Sequence, residues 1–244
     1  MNMIDRNLNY GRDLIESFLR SSAGFESVLD IGAGSGSDLA LAKKVNPKAR
    51  LIGVELFGES QQRLRNFGAE VLPIDIEHGR LPLPDQSIDV VIANQVLEHL
   101  KEIFWVFHEV FRVLKVGGHF IIGVPNLAAF HNRLLLLAGK QPSPLKNYSA
   151  HVRGYTKGDL EMFLQNCIPG GANIIRCEGA NFYPFPPVLA RPLARLFPTM
   201  AWGIFLLVEK TKPYSQNEFL RYPVKERLET NFFLGGDQES SISL

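Results

Sequence analysis

The 244-residue chain lacks the features that mark several common protein classes. It has two cysteines, Cys167 and Cys177, too few and wrongly spaced for a disulfide framework or a cysteine-built zinc site. Both are expected to be reduced and structural. No run approaches the roughly 18 uninterrupted apolar residues of a membrane-span candidate. The nearest stretch, 188–208, is broken by Arg191, Pro192, Arg195 and Pro198. The opening Met1-Asn2-Met3-Ile4-Asp5-Arg6 carries no apolar signal-peptide core. Charge is nearly balanced, with 26 Lys and Arg against 25 Asp and Glu, and no dense basic patch stands out, so nucleic acid is not an expected partner. There are no internal repeats and no sequence-local metal-ligand cluster. These absences predict a soluble, cytoplasmic, globular protein without a metal.

What is present centres on Val28-Leu29-Asp30-Ile31-Gly32-Ala33-Gly34-Ser35-Gly36-Ser37-Asp38. The branched apolar residues before Gly32 read as a short buried strand. The glycines then turn into a helix over 38–45, near Pro47. Glycine suits such a bend because it accepts positive φ and lets a ligand approach the bare backbone. The helix start presents free N–H groups and the positive end of a dipole. A second strand, 50–54, ends in Glu55, about 20 residues beyond the glycines, where a dinucleotide fold places its ribose-binding acid. Asp75 follows a third apolar segment, 69–74. A fourth strand, 87–93, runs through Asn94 and Gln95 into Val96-Leu97-Glu98-His99-Leu100. A helix over 101–115 then leads through Leu114-Lys115-Val116-Gly117-Gly118 into a strand over 118–124. The alternation argues for a parallel sheet with right-handed crossovers.

In this ordered set of motifs, over roughly residues 25–210, the sequence resembles the class I S-adenosylmethionine-dependent methyltransferases. The resemblance implies an α/β, Rossmann-like, seven-stranded and mostly parallel sheet, with helices on both faces and only the last strand antiparallel. It implies S-adenosyl-L-methionine as cofactor, with S-adenosyl-L-homocysteine as product. Asp30, Gly32, Gly34 and Gly36 match the glycine motif, Glu55 the ribose-binding acid and Asp75 the acid near the adenine amino group. Asn94 and Gln95 fall where the fourth strand meets the sulfonium side. Asn94-Gln95-Val96-Leu97 stands in place of the Asn/Asp-Pro-Pro-Tyr signature of enzymes that methylate bases or glutamine, which lowers the expectation of DNA or protein-glutamine methylation.

The chain divides into an N-terminal helical cap (1–22), a methyltransferase domain (23–210) with a lid and acceptor insertion (125–150), and a C-terminal extension (211–244) with a mobile end. Residues 8–20 show helical amphipathic spacing, with Tyr10 and Arg12 read first as part of a docking helix. Trp105, Phe104, Phe107 and Phe111 form an aromatic stripe that reads as core. Within the insertion, 127–139 reads as an apolar helix closed by Gly139, followed by an irregular loop over 141–148. Thr156 is a predicted helix cap. The last two strands are predicted over 173–177 and 202–208, and the proline- and aromatic-rich 182–198 between them could graze a membrane surface.

An oxygen acceptor needs its proton removed, and histidine is the natural base near neutral pH. His151 ranks first because 152–156 resembles the family's loop near the acceptor. His99 is second, with a structural hydrogen-bonding role weighed against it. Asn126, His131 and Tyr155 are assigned to acceptor binding, while His108 and His119 read as packing residues. The chain is thus expected to methylate a small-molecule or sugar acceptor at oxygen. The alternatives are a nicotinamide-dependent oxidoreductase and a cofactor-binding partner without catalysis. Oligomeric state is not legible.

Overall fold

Ser27–Ile31 forms strand β1 with all five residues buried, as suits an apolar strand covered on both faces. The computed structural model describes residues 6–22, 24–214, 217–229 and 231–236. The other strands are β2 (Arg50–Val54), β3 (Glu70–Leu72), β4 (Ile88–Asn94), β5 (Leu114–Pro125), β6 (Ala172–Ala180) and β7 (Gly203–Lys210). They make one seven-stranded sheet in the order β3-β2-β1-β4-β5-β7-β6. β7 runs antiparallel to both its neighbours, and the remaining pairs are parallel. β1 pairs with β2 on one side and β4 on the other. The chain reverses its direction of travel there, so a crevice opens beyond the carboxyl ends of β1 and β4.

The helices are α1 (Arg6–Asn9), α2 (Arg12–Ser21), α3 (Ser37–Val45), α4 (Gly58–Phe67), α5 (Ile103–Val113), α6 (Phe130–Leu137), α7 (Lys157–Cys167), α8 (Pro187–Leu196) and α9 (Glu218–Lys225). Alternate strand residues point to opposite faces, and this divides the core into two layers. Leu29, Val91, Phe120 and Leu206 pack with Phe107, Leu160 and Phe219 from α5, α7 and α9. Val28, Val90, Ile121 and Leu207 pack with Phe18, Leu39 and Leu64 from α2, α3 and α4. Every residue of α5 is buried, its aromatic stripe included. Truncating a side chain such as Phe107 to alanine there would cost about 3–5 kcal/mol.

Several boundaries differ from the sequence reading, each for a tertiary reason. The N-terminal helix is broken at Gly11, which has φ 54° and lies so close to Phe205 that an added Cβ would sit 2.2 Å from its ring. The helix expected over 101–115 stops at Val113. Lys210, fully buried on β7, donates from Nζ to the carbonyls of Phe111 and Leu114, both at 2.6 Å. That ammonium satisfies backbone acceptors that the helix end would leave bare, and its burial pulls its pKa down to about 8. The insertion helix is shorter than expected, at Phe130–Leu137, and 187–196 is helical around an internal Pro192. Thr156 does cap α7, accepting from the Asp159 N–H.

The tail beyond 210 folds back on the domain. Phe219 and Leu220 of α9 are fully buried, and Phe232 and Phe233 meet Phe104 and Trp105 edge to face. A boundary at 210 therefore does not separate this segment from the core. The expected mobile end, 235–241, lies outside the described residues except for Gly235, which packs beside Trp105, and Gly236.

Candidate active site

The glycine turn leaves β1 with Gly32, Gly34 and Gly36 all at positive φ, 68°, 52° and 82°. The three do different work. A Cβ on Gly32 would lie 2.8 Å from Val96 Cγ2, and one on Gly36 would lie 3.0 Å from Leu64 Cδ2. At Gly34 the nearest atom to such a Cβ is the Gly32 carbonyl oxygen, 4.0 Å away, so only this glycine opens onto free space. At Gly32 and Gly36 a side chain is opposed both by the positive φ and by the protein packed against them.

Three carboxylates surround the opening. Glu55, buried at the end of β2, accepts from the Gly34 N–H through Oε2 and the Phe57 N–H through Oε1, both at 2.8 Å. Asp30 lies beneath the turn, 3% exposed; burial, followed by the charges of Asp38 and Glu55, raises its pKa well above the carboxylate range. Asp38, in the first turn of α3, also has a raised pKa, chiefly through burial, with Asn94 and Arg12 acting against the shift. Asn94 Nδ2 donates to Asp38 Oδ2 at 2.8 Å and to the Tyr10 carbonyl at 3.2 Å. The Arg12 Nε sits 3.6 Å from Asp38 Oδ1, an ion pair beyond hydrogen-bond reach.

Among the described residues, the buried polar atoms without a hydrogen-bond partner gather along this edge. On the glycine side they are Arg12 Nε, Asp38 Oδ1, Asn94 Oδ1 and Gln95 Nε2; farther along are Glu98 Oε2, His131 Nδ1 and His151 Nδ1. Buried polar atoms are normally paired, so this grouping suits a ligand that supplies both donors and acceptors. Asp38 was not foreseen as a site residue; an acid in the first helical turn after a glycine bend was the available signal.

Asp75 sits in another setting. Its side chain is about half exposed and closes its own turn, accepting from the Glu77 N–H at 3.0 Å and meeting His78 Nδ1 at 3.0 Å. The His78 contact, first of all, lowers its pKa.

On the acceptor side, two expected roles need correction. Asn126 is 1% exposed. Its Nδ2 donates to the carbonyls of Thr199 and Ala201, both at 2.9 Å, and its Oδ1 accepts from the Ala128 N–H at 3.0 Å. Tyr155 is buried and its hydroxyl donates to the Leu97 carbonyl at 3.1 Å, with burial pushing its pKa up. Both side chains are buried and spend these hydrogen bonds on the protein's own backbone, which anchors the insertion. The sequence could not distinguish an anchor from a contact, because the partners lie at distant positions. His131 contacts Ser143 Oγ through Nε2 at 2.9 Å, and burial lowers its pKa.

His99 and His151 meet edge to face, with ring centroids 4.7 Å apart. His99 Nδ1 lies 3.2 Å from the Ala150 carbonyl. Burial, then the neighbouring His99, lowers the pKa of His151, which keeps the ring neutral at neutral pH. Glu98, 2% exposed beside them, has its pKa raised to about 7 by burial. A cavity of about 370 Å³ lies nearby, between α5, α7 and 152–155. It includes none of the glycine-turn residues, so the chemistry points to the crevice rather than to this hollow.

Fold and site together define the class I, S-adenosylmethionine-dependent methyltransferase architecture, and residues 29–122 match the family model described as a methyltransferase domain. Relatives and neighbours that share this domain are described with S-adenosylmethionine or S-adenosylhomocysteine. A "probable S-adenosylmethionine-dependent methyltransferase" of Mycolicibacterium smegmatis is 39% identical over 106 residues, covering 42% of this chain and 39% of that protein. An arsenite methyltransferase of Halobacterium salinarum is 37% identical over 103 residues, covering 40% and 26%. The chain spans well under half the length of these curated relatives. Among solved structures, the plantazolicin methyltransferase BpumL in complex with S-adenosylhomocysteine superposes with a TM-score of 0.61 at 17% identity, over 86% of this chain and 88% of that one. At that identity the likeness is one of fold.

Proposed function

We propose that this chain is an enzyme that transfers a methyl group from S-adenosylmethionine to a hydroxyl oxygen of a small-molecule or sugar acceptor. The observation that carries the donor assignment is the charge of the pocket. Asp30, Asp38 and Glu55 converge on the turn that opens at Gly34, with Arg12 the cation paired to one of them. A sulfonium and an ammonium relieve that repulsion, whereas the pyrophosphate of a nicotinamide dinucleotide would add to it. This argues against the oxidoreductase reading.

The bound cofactor supplies an electrophilic methyl group on a cationic sulfur, and the protein's work is to bind, align and exclude water. In this reading Glu55 accepts from the ribose hydroxyls through its remaining lone pairs while the Gly34 and Phe57 N–H groups hold it still. Asp38, Asn94 and Gln95 meet the methionine portion with their unpaired atoms, a bound cation favours the charged form of Asp30 that burial opposes, and Asp75 accepts from the adenine amino group. As the acceptor oxygen takes the methyl and the sulfur leaves as a thioether, the hydroxyl proton is lost at the His99–His151 pair. Phe130, at the start of α6, packs against Phe182 and Phe185, just before α8.

No helix among the described residues is long and apolar enough to cross a membrane. The exposed Leu136 and Leu137 on α6 and Val188 and Leu196 on α8 favour an acceptor with an apolar portion or one presented at a lipid surface. The test is a labelled-methyl screen over hydroxylated metabolites, nucleotide sugars and their lipid-linked forms. Label appearing in an ether product supports the reading. Donor binding without transfer to any hydroxyl, or label on nitrogen or sulfur, rejects oxygen methylation.

A further inference from the structure

Glu98, His99 and His151 bring one carboxylate and two imidazoles together just beyond β4, and each offers a ligand atom within 4.8 Å of the other two. Glu98 is 98% buried by difference from its 2% exposure, and its Oε2 accepts no hydrogen bond; His151 Nδ1 is likewise buried and unpaired. Acceptor atoms buried without a donor are costly unless something positive sits between them. His99 offers its Nδ1 to the Ala150 carbonyl. That is how a backbone carbonyl holds the outer N–H of a ligating histidine, leaving the Nε2 lone pair for an ion. The two chain segments are joined where it matters: the N–H groups of Val152 and Arg153 donate to the Glu98 carbonyl at 2.8 and 3.2 Å. The cluster is thus one scaffold, not a chance meeting of free loops.

We infer that Glu98, His99 and His151 form a binding site for a single first-row divalent transition-metal ion. Two imidazole nitrogens and one carboxylate oxygen suit zinc, manganese, cobalt or iron, whereas calcium and magnesium favour sets built of oxygen. Three protein ligands leave at least one position open. Bonds of about 2.0–2.2 Å put tetrahedral ligand atoms roughly 3.4 Å apart, so closure from the present spacing takes only side-chain rotation, readily made by the exposed His99. The sequence expectation of no metal site rested on local spacing, and His151 lies 52 positions from His99.

The ion's role follows from its place. Val96, in the same turn, packs against Gly32 of the donor bend, so the cluster sits one turn away from the glycine bend. An acceptor hydroxyl bound there loses its proton more readily. With the ion bound, the two histidines act as ligands in place of the base role given above, and the proton leaves to solvent. This role rests on the methyl-transfer reading, whereas ion binding itself rests only on the cluster.

The experiment uses the full, tag-free chain stripped by a chelator. Cobalt(II) is titrated by visible absorption, and zinc and manganese by calorimetry, with S-adenosylmethionine affinity measured separately on the metal-free protein. We expect one ion per chain, with affinity falling roughly a hundredfold or more in Glu98→Gln and in His151→Gln. Donor affinity should stay within about threefold, since neither side chain is placed against the donor. Should Glu98→Gln fail to fold, the half-exposed His151→Gln carries the test alone. Absence of saturable binding, or binding untouched by these variants, overturns the site while leaving the donor reading intact. Ion binding in a chain that does not bind S-adenosylmethionine removes the donor reading and leaves the site standing.

Discussion

The edge we assign to the donor and the edge we assign to the acceptor hold their polar groups differently. Around the glycine turn, Glu55 is clasped by the N–H groups of Gly34 and Phe57, and Asn94 reaches Asp38. These bonds fix a negative pocket whose free atoms face one opening. On the other side, Asn126, Tyr155 and Arg153 spend their hydrogen bonds on distant backbone carbonyls, and the groups left over are histidines and one buried glutamate. The donor edge is preorganised by the turn itself. The acceptor edge is preorganised by the anchoring of an insertion, so its side chains are set by tertiary contacts.

If that contrast is right, damage to one edge should spare the other. The largest effect should come from Gly34→Val. Its φ of 52° opposes a β-branched residue and its Cβ direction is the free space of the pocket. We expect donor affinity to fall roughly a thousandfold or more, combining about 1–2 kcal/mol of backbone strain with blocked approach. Calorimetry on the folded variant measures it, and near-normal binding would remove the turn from the donor site.

The converse cut replaces 133–141, the exposed part of the insertion, with a short glycine-serine linker, keeping Asn132 and Ser143, which bond to each other. Turnover should drop about a hundredfold through lost alignment and water exclusion, with donor affinity held within a few-fold. A matching loss of donor affinity would show that the two edges are not separable.

A control belongs to neither edge. His108 is buried against Tyr214, 2.8 Å from its hydroxyl, and burial lowers its pKa from 6.5 to about 4. The folded chain keeps this ring neutral while the unfolded chain protonates it. Stability from this group is therefore present above pH 6.5 and lost as pH falls towards 4, by about 3 kcal/mol in all. Denaturant unfolding should show that slope, flattened in His108→Gln, with donor affinity at neutral pH unchanged. Persistence of the slope in the variant would shift its cause to other groups.

Glu55→Ala should weaken donor binding by about 1.5–3 kcal/mol, since it removes a charged acceptor and frees the Gly34 N–H. Binding equal to the parent's would mean the carboxylate only braces the turn. The smallest effect is expected from Asp75→Asn. The amide oxygen can still close the turn, and a half-exposed contact is worth little, so donor affinity should change by no more than about threefold. A larger loss would move Asp75 into the inner pocket and blur the distinction between clasped and surface acids.

The sequence by itself determined the sheet. Branched apolar runs, glycine bends and alternating helices are local signals, and the parallel order follows from how such units wind. It also foretold that Glu55 and the glycines lie together, because their spacing is fixed by one strand-turn-helix unit. Three matters were decided only by tertiary structure. α5 ends where the Lys210 ammonium, from β7, reaches its carbonyls. Asn126 and Tyr155 became anchors because their partners, at Thr199, Ala201 and Leu97, arrive from other segments. Glu98 and His99 met His151 because the 150–155 segment folds back onto the turn after β4. Periodicity and spacing report only what neighbours along the chain impose, whereas a side chain's hydrogen-bond partner depends on which distant backbone the fold carries to it.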